Sequence, residues 1–318
     1  MPELIKIPAA IVLLAIAVNY FIIPALTPQY LVHNEGYVLI TGASTGIGNH
    51  AAIDIATKTN LTVLAGVRKE KDIGIIKKLN IKNLQPIIID VTSHESNLHA
   101  VAEIKNLMED NHLPFVALIN NAGISRSIPV EFHHLEDVRL LFETNFFGLL
   151  DLTQLMLPSL RQSKGRIIQI SSVAGLVTPT MSGLYSSSKK ALEALSDGLR
   201  REIYDQGISV SVVNPGYVKT PIFESGLKNS ETAMESYSAD IKQVYGKLLE
   251  KRISKREKEF NGAVGPEHSS AAILDALKNP KPLTRYACAY ALGMPAWFIA
   301  HLVRLVPDRF IDYLFAVL

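Results

Sequence analysis

The chain opens on an apolar block. No charged residue falls between Ile7 and Val32. Its densest part, IPAAIVLLAIAVNYFIIPAL from Ile7 to Leu26, would rise about 30 Å as a helix, the thickness of a bilayer's hydrocarbon core. Pro8 suits the first turn of such a helix, and Pro24 and Pro28 suit its end. The pattern predicts an uncleaved membrane anchor within residues 1–32. A cleaved signal peptide and a buried globular helix are the rivals. Against the first, Ile23 stands where a cleavage site wants a small residue before Ala25. Orientation stays open, because Glu3 offsets Lys6 and the amino terminus, and the other flank is nearly neutral.

After Gly36 the pattern alternates. Short apolar runs predict strands at Tyr37–Thr41, Leu61–Ala65, Gln85–Ile89, Phe115–Ile119, Arg166–Ser171 and Ile208–Val213. A helix is expected from Gly46 to about Thr59, and helical stretches lie between most of the other strands. Apolar strands alternating with helices mean a parallel sheet covered on both faces. The expected fold is therefore α/β, a doubly wound, Rossmann-type single domain over residues 33–282, preceded by the anchor. An apolar tail follows over residues 283–318.

Two segments break the alternation. Lys228–Gly262 contains the charge-rich run KLLEKRISKREKEF, Lys247–Phe260. It reads as a solvated amphipathic helix, or as a mobile lid, since it follows a strand's carboxyl end. Cys288–Leu318 carries Trp297, Phe298, Phe310, Tyr313 and Phe315, interrupted by Arg304 and Arg309. It reads either as a core helix pair or as a helix lying on lipid.

Composition narrows the function classes. The 318 residues are 48% hydrophobic, which excludes a disordered chain, and a mean hydropathy of +0.18 agrees with a membrane. A net charge of +2 is too balanced to argue for nucleic acid. The lone Cys288 cannot form an internal disulfide and reads as a small buried hydrophobe. His133-His134 lacks spaced partners, so no metal is expected.

The first predicted strand runs straight into TGASTGIG, Thr41–Gly48. Gly42, Gly46 and Gly48, with Ser44, Thr45 and Ile47 between them, are spaced for a tight turn into a helix whose first amides face a pyrophosphate. An acid about twenty residues on would grip the ribose hydroxyls of NAD. The second strand instead ends Gly66-Val67-Arg68-Lys69. A guanidinium pairs with the extra phosphate of NADP, so NADP is favoured over NAD.

Tyr185 and Lys189 lie four apart in YSSSKKALEAL, a helical pattern that puts them on one face. A phenol is a poor base at neutral pH. A nearby ammonium stabilises the phenolate, so the pair can trade a proton with a substrate oxygen while a nicotinamide trades a hydride.

TGASTGIG, NNAG at Asn120–Gly123, Ser172 thirteen residues before Tyr185, YSSSK, and NPGYVKT at Asn214–Thr220 occur in one order. Together they resemble the short-chain dehydrogenase/reductase family in its single-domain form, strongly over Gly36–Thr220. The resemblance implies that Ser172 holds the substrate oxygen. It implies that Asn145, in ETNFFG, completes a tetrad and positions a relay water, and that Lys189 also contacts the nicotinamide ribose. Asp90 and Val91 would meet the adenine. Asn121, Ala122 and Gly123 would line the cleft, and Pro215, Gly216, Val218 and Thr220 would cradle the nicotinamide end.

Within the family, the anchor, ALKNP at Ala276–Pro280 and VPDRFIDYL at Val306–Leu314 are similar to the branch of retinol, 17β-hydroxysteroid and 3-hydroxybutyrate dehydrogenases. Members using NAD often lack an arginine after the second strand, so Arg68 leaves the direction of reaction open. The resemblance implies a single-pass protein of the endoplasmic reticulum, with a homodimer as a further expectation. The expected substrate is a lipophilic ketone or alcohol (steroid, retinoid or lipid), with a small hydroxy acid such as 3-hydroxybutyrate as the alternative. A non-catalytic nucleotide-binding scaffold is the reading from another class, opposed by the intact Ser172, Tyr185 and Lys189. A sugar-nucleotide epimerase is opposed by the glycine spacing and the short region after Thr220.

Overall fold

The computed structural model describes residues 27–317, positions 292 and 304 excepted. The anchor sequence Ile7–Leu26 lies outside the described residues. Among the described residues, no helix is long and apolar enough to cross a membrane.

The described chain builds a parallel sheet of seven strands: β1 (Tyr37–Ile40), β2 (Thr62–Val67), β3 (Leu84–Ile88), β4 (Phe115–Asn120), β5 (Arg166–Ile170), β6 (Ser209–Pro215) and β7 (Arg285–Cys288). Their spatial order is β3-β2-β1-β4-β5-β6-β7. The chain starts at β1, winds outward to β3, then crosses back to β4. Helices cover both faces, so the strands are apolar on both sides. Val38 and Ile40 join one core cluster, while Tyr37 and Leu39 join the other. The doubly wound expectation holds.

Differences in strand length have a local cause. β6 runs on through Asn214 because its amide is satisfied inside, donating to Glu193 Oε1 at 2.5 Å and to the Ser172 carbonyl at 3.2 Å. β2 runs on through Gly66, where a Cβ would meet the Ile40 carbonyl at 2.9 Å. β3 tolerates Pro86 because it is an edge strand.

β7 is a correction. The tail expected from residue 283 contributes this seventh strand, paired in parallel with β6 from Val212–Arg285 to Pro215–Cys288. Its four residues, RYAC, carry too little apolar pattern to announce a strand. Cys288 is only half-buried there, packed against the core beside Ser269.

The carboxyl end of the sheet holds the cleft described below. The amino end is closed by a buried cation. Arg166 Nη1 donates to the carbonyls of Ala276 and Asn279, both at 2.7 Å, and Nη2 to that of Leu31 at 3.1 Å. The first two close the last turn of the helix Glu267–Lys278, where a cation is favoured. The third, with the Tyr30 amide on the Pro280 carbonyl at 2.8 Å, docks residues 30–31 onto the globular domain. The segment expected to belong to an anchor over residues 1–32 is therefore globular at its carboxyl end.

Candidate active site

The sheet order reverses between β1 and β4, and ligands bind outside the carboxyl ends of such a sheet. A cleft of about 500 Å³ opens there. Of the residues singled out in the sequence, Gly42, Ser44, Thr45, Gly46, Ile47, Arg68, Asp90, Val91, Asn121, Ala122, Gly123, Ser172, Tyr185, Lys189, Pro215, Gly216, Val218 and Thr220 line it. Gly48 and Asn145 stand just behind.

The glycine loop joins β1 to the helix α1 (Gly46–Lys58). Gly46 has a φ of +60°, a conformation that L side chains avoid. A Cβ on Gly48 would meet the Gly42 carbonyl at 2.6 Å. Asn121 braces this turn. Its amide donates to the carbonyls of Thr41 at 2.8 Å and Gly42 at 3.1 Å, and Thr41 Oγ1 accepts from the backbone of Asn121 and Ala122. The NNAG segment thus shapes the loop. At Gly123 a Cβ would stand 3.3 Å from Asn145 Oδ1 and 3.5 Å from Lys189 Nζ, so the absent side chain leaves a cradle beside the lysine. The open α1 N-terminus, the glycine turn and this cradle fit a dinucleotide. Arg68 is exposed at the rim directly after β2, with Lys69 and Lys71 also lining the cleft. Asp90 holds Thr92 through Oδ1, at 2.7 Å from the hydroxyl.

Tyr185 and Lys189 sit on the helix Gly183–Glu202. Ser172 lies at the end of β5, its Oγ accepting from the Ala174 amide at 3.1 Å. Burial raises the Tyr185 pKa, while a hydrogen bond from Ser172 and the charge of Arg256 oppose the rise. Burial lowers Lys189 to about 8, with Glu193 opposing. Lys189 Nζ donates to the Ile170 carbonyl at 2.8 Å and stands 6.0 Å from the Tyr185 ring centre. The expected lowering of the phenol by its lysine is not seen: desolvation dominates, and Ser172 and Arg256 supply the opposing pull. Ser171, one place earlier, turns away and contacts the Lys189 carbonyl.

Asn145 occupies a π-helical segment, Glu143–Phe147, a distortion common at functional sites. Its side chain is fully buried and fully engaged. Oδ1 accepts from the Ile124 amide at 2.8 Å, and Nδ2 donates to the Ile124 carbonyl and Ser188 Oγ, both at 3.0 Å. It fixes the strand-to-loop passage after β4 and the catalytic helix at once.

The remaining wall is where sequence reasoning fell short. The charge-rich run belongs to a helix Ala239–Asn261 packed on the preceding helix Pro221–Ser236. It is not a uniformly solvated helix: Leu249, Arg252 and Arg256 are buried, and both arginines line the cleft. Arg252 Nη1 meets both oxygens of Glu259, at 3.2 and 3.1 Å, and Glu259 Oε1 also accepts from Tyr217 Oη at 2.8 Å. The spacing 249, 252, 256 marks one helix face, but charges on every side of that helix hid it.

Beyond Tyr217 the wall is apolar. Val173, Val177 and Ala291 face the cleft and belong to a cluster with Ala296 and Ile299 of the helix Ala296–Leu302. Ile311, from the tail helix Asp308–Val317, packs against it. The inner side of the tail is thus core, as one of its two expected readings has it, while Trp297 is 56% exposed and Phe298, Leu305, Phe310 and Tyr313 are also exposed.

A dinucleotide cleft with a serine, tyrosine and lysine at its inner end defines a nicotinamide-dependent oxidoreductase. Comparison with known proteins makes the class specific. Residues 36–231 match the model of the short chain dehydrogenase family. The chain is 35% identical over 289 residues to the 17-beta-hydroxysteroid dehydrogenase type 6 of Rattus norvegicus, covering 89% of each. It is 33% identical over 263 residues to the retinol dehydrogenase 16 of Mus musculus, covering 80% of this chain and 81% of that one. It is 32% identical over 284 residues to the NADPH-dependent 3-dehydrocapnine reductase of Ornithobacterium rhinotracheale, covering 88% and 95%. The chain belongs to the short-chain dehydrogenase/reductase family, close to its steroid and retinol branch, and is an NAD(P)-dependent dehydrogenase or reductase.

Proposed function

We propose that the protein interconverts a lipophilic ketone and its secondary alcohol at a membrane, with NADP(H) as cofactor. The observation that carries the reading is one cleft in which Ser172, Tyr185 and Lys189 meet an apolar wall built from Val173, Val177 and Ala291. Bound in the cleft, a nicotinamide supplies or accepts the hydride. Tyr185, held protonated at neutral pH by burial, gives its proton to the substrate oxygen in reduction and takes it back in oxidation. Ser172 orients that oxygen through its hydroxyl. Lys189 brings a positive charge to the phenolate once it forms. Asn145 holds Ile124 and the catalytic helix in register.

Arg68 supports NADP(H), since it ends β2 where an acid would suit NAD, and one similar reductase is named as NADPH-dependent. Membrane attachment rests on the apolar length of Ile7–Leu26 and on the exposed aromatics of the tail. The two attach differently. The described chain begins at the amino end of the sheet, through Tyr30 and Leu31. The tail adjoins the cleft, so it is the tail that would set the mouth of the site against lipid. The similarity to the 17-beta-hydroxysteroid and retinol enzymes, and the branch they define, favours the endoplasmic reticulum.

The test is purified full-length protein with NADPH or NADH against a panel of steroid, retinoid and long-chain ketones and aldehydes, following the absorbance of the reduced cofactor. Turnover of lipophilic carbonyls with NADPH ahead of NADH is expected. Turnover confined to small polar oxo acids would move the assignment to a hydroxy-acid dehydrogenase.

A further inference from the structure

Arg256 carries a charge that the fold does not answer. It is 6% exposed and lines the cleft. Its guanidinium lies over the Phe223 ring, 4.8 Å from the centre. Among the described residues no carboxylate pairs with it, and its Nε has no hydrogen-bond partner. Glu259, three residues on in the same helix, favours its charge from a distance but is already held by Arg252 and Tyr217. Arg252 adds repulsion, and burial with that repulsion lowers the Arg256 pKa to about 10. Leaving a guanidinium buried with an aromatic face as its chief company is costly. Such unanswered groups concentrate at binding sites, where a ligand completes them.

The position of Arg256 says which ligand. The glycine loop and α1 hold the diphosphate end of a dinucleotide. Arg256 instead lines the same cleft as Tyr185, the proton donor, on the wall built by the helix Ala239–Asn261. Phe223 beside it, and Ile222 and Val177 elsewhere on the lining, offer only apolar surface to the cleft.

We propose that Arg256 binds an anionic group of the substrate itself, a carboxylate, sulfonate or phosphate. The substrate is then an amphiphilic oxo or hydroxy acid, its charge on Arg256 and its apolar chain against Val173, Val177 and Ala291. This rests on the oxidoreductase reading above and narrows its substrate class.

The test uses full-length protein in detergent with NADP+ bound, and octanoate and octanamide as matched probes read by calorimetric titration. Octanoate should bind at least about tenfold more tightly than octanamide, the lower end for a charge-assisted pair. In Arg256→Met the ratio should fall towards one, and Arg256→Lys should restore part of it. NADP+ affinity, titrated separately, should change by less than about threefold, because its diphosphate has its own loop. Equal affinity of the two probes for the wild-type enzyme overturns the inference, and that comparison stands even where Arg256→Met fails to fold. So does an unchanged ratio in Arg256→Met accompanied by a large loss of NADP+ affinity, which would assign the guanidinium to the cofactor's phosphates. Wild-type protein that binds NADP+ and reduces an uncharged ketone without preferring octanoate sinks this inference alone. Failure to bind any nicotinamide nucleotide sinks the oxidoreductase reading with it.

Discussion

The cleft has two walls, and they are built on different principles. The wall around Thr41–Gly48 and Asn121–Gly123 is made of backbone: a glycine turn, helix amides and short polar side chains locked to one another, such as Asn121 on the Thr41 and Gly42 carbonyls. The wall from Pro221 onward is made of long side chains on two stacked helices, with Arg252 and Arg256 turned inward among aromatic rings. Backbone recognition demands particular residue types at particular offsets, because only glycine fits where Gly46 and Gly48 stand. Side-chain recognition tolerates many solutions. The first wall suits a ligand that never changes, the cofactor. The second suits one that differs from enzyme to enzyme, the substrate.

The largest expected effect lies where the walls meet. Tyr185→Phe should lower turnover by about 10²–10⁴-fold, the range for losing a positioned acid, while NADP+ affinity stays within several-fold. Lys189→Ala should damage both turnover and cofactor affinity, since the amine borders the Gly123 cradle as well as the phenol. Turnover by Tyr185→Phe within tenfold of wild type would remove the chemistry from this junction.

The next effect tests the first wall alone. Arg68→Glu should lower the efficiency with NADPH by about 10–100-fold, the loss of a charged hydrogen bond, and leave NADH efficiency unchanged or improved. Steady-state kinetics with both nucleotides decide it. An equal fall with both would make Arg68 a general surface cation.

These walls also differ in how they show in the sequence. The sheet order, the glycine loop and the Ser172–Tyr185–Lys189 set were legible, because fixed backbone geometry leaves fixed spacings. β7 was not: RYAC is short, and it pairs with a strand some 72 residues away, beside the Ser211 Oγ hydrogen bond to the Leu283 carbonyl at 2.8 Å. Arg166 looked like the first residue of an ordinary strand, yet it is among the most buried side chains, satisfied by three carbonyls from two distant segments. Arg256 looked solvated because one charge in a charged helix has no periodic mark. In each case the missing information was a partner far away in the chain.

Arg166 gives a third test, on the edge opposite the cleft. Removing residues 1–26 takes away the apolar run Ile7–Leu26 proposed as the anchor and should leave the thermal stability of the globular domain in detergent unchanged. Removing residues 1–32 takes away the Leu31 carbonyl and the Tyr30 amide. It should cost about 1–3 kcal/mol, a fall of a few degrees in Tm for a domain of this size. Calorimetry of the two truncations checks it. Equal Tm values would mean that residues 30–31 only rest on the domain.

The smallest effect concerns the tail, and it asks whether the substrate wall continues into lipid. Trp297 and Phe298 project from a helix whose other side, Ala296 and Ile299, is core behind Val173 and Val177. Replacing them with serine should therefore leave the fold and the cleft intact and remove only outward apolar surface. In protein lacking residues 1–26, where the anchor cannot mask the result, Trp297→Ser with Phe298→Ser should weaken binding to phosphatidylcholine vesicles by about tenfold. That matches withdrawal of one to two half-buried aromatic side chains. Vesicle flotation measures it. The same pair of changes should raise KM for a ketone presented in vesicles and leave KM for a water-soluble ketone as it was, because the tail touches the route to the site and none of the reacting groups. Unchanged flotation would detach the tail from the membrane, and access would then have to run past the helices Pro221–Ser236 and Ala239–Asn261 from the aqueous side.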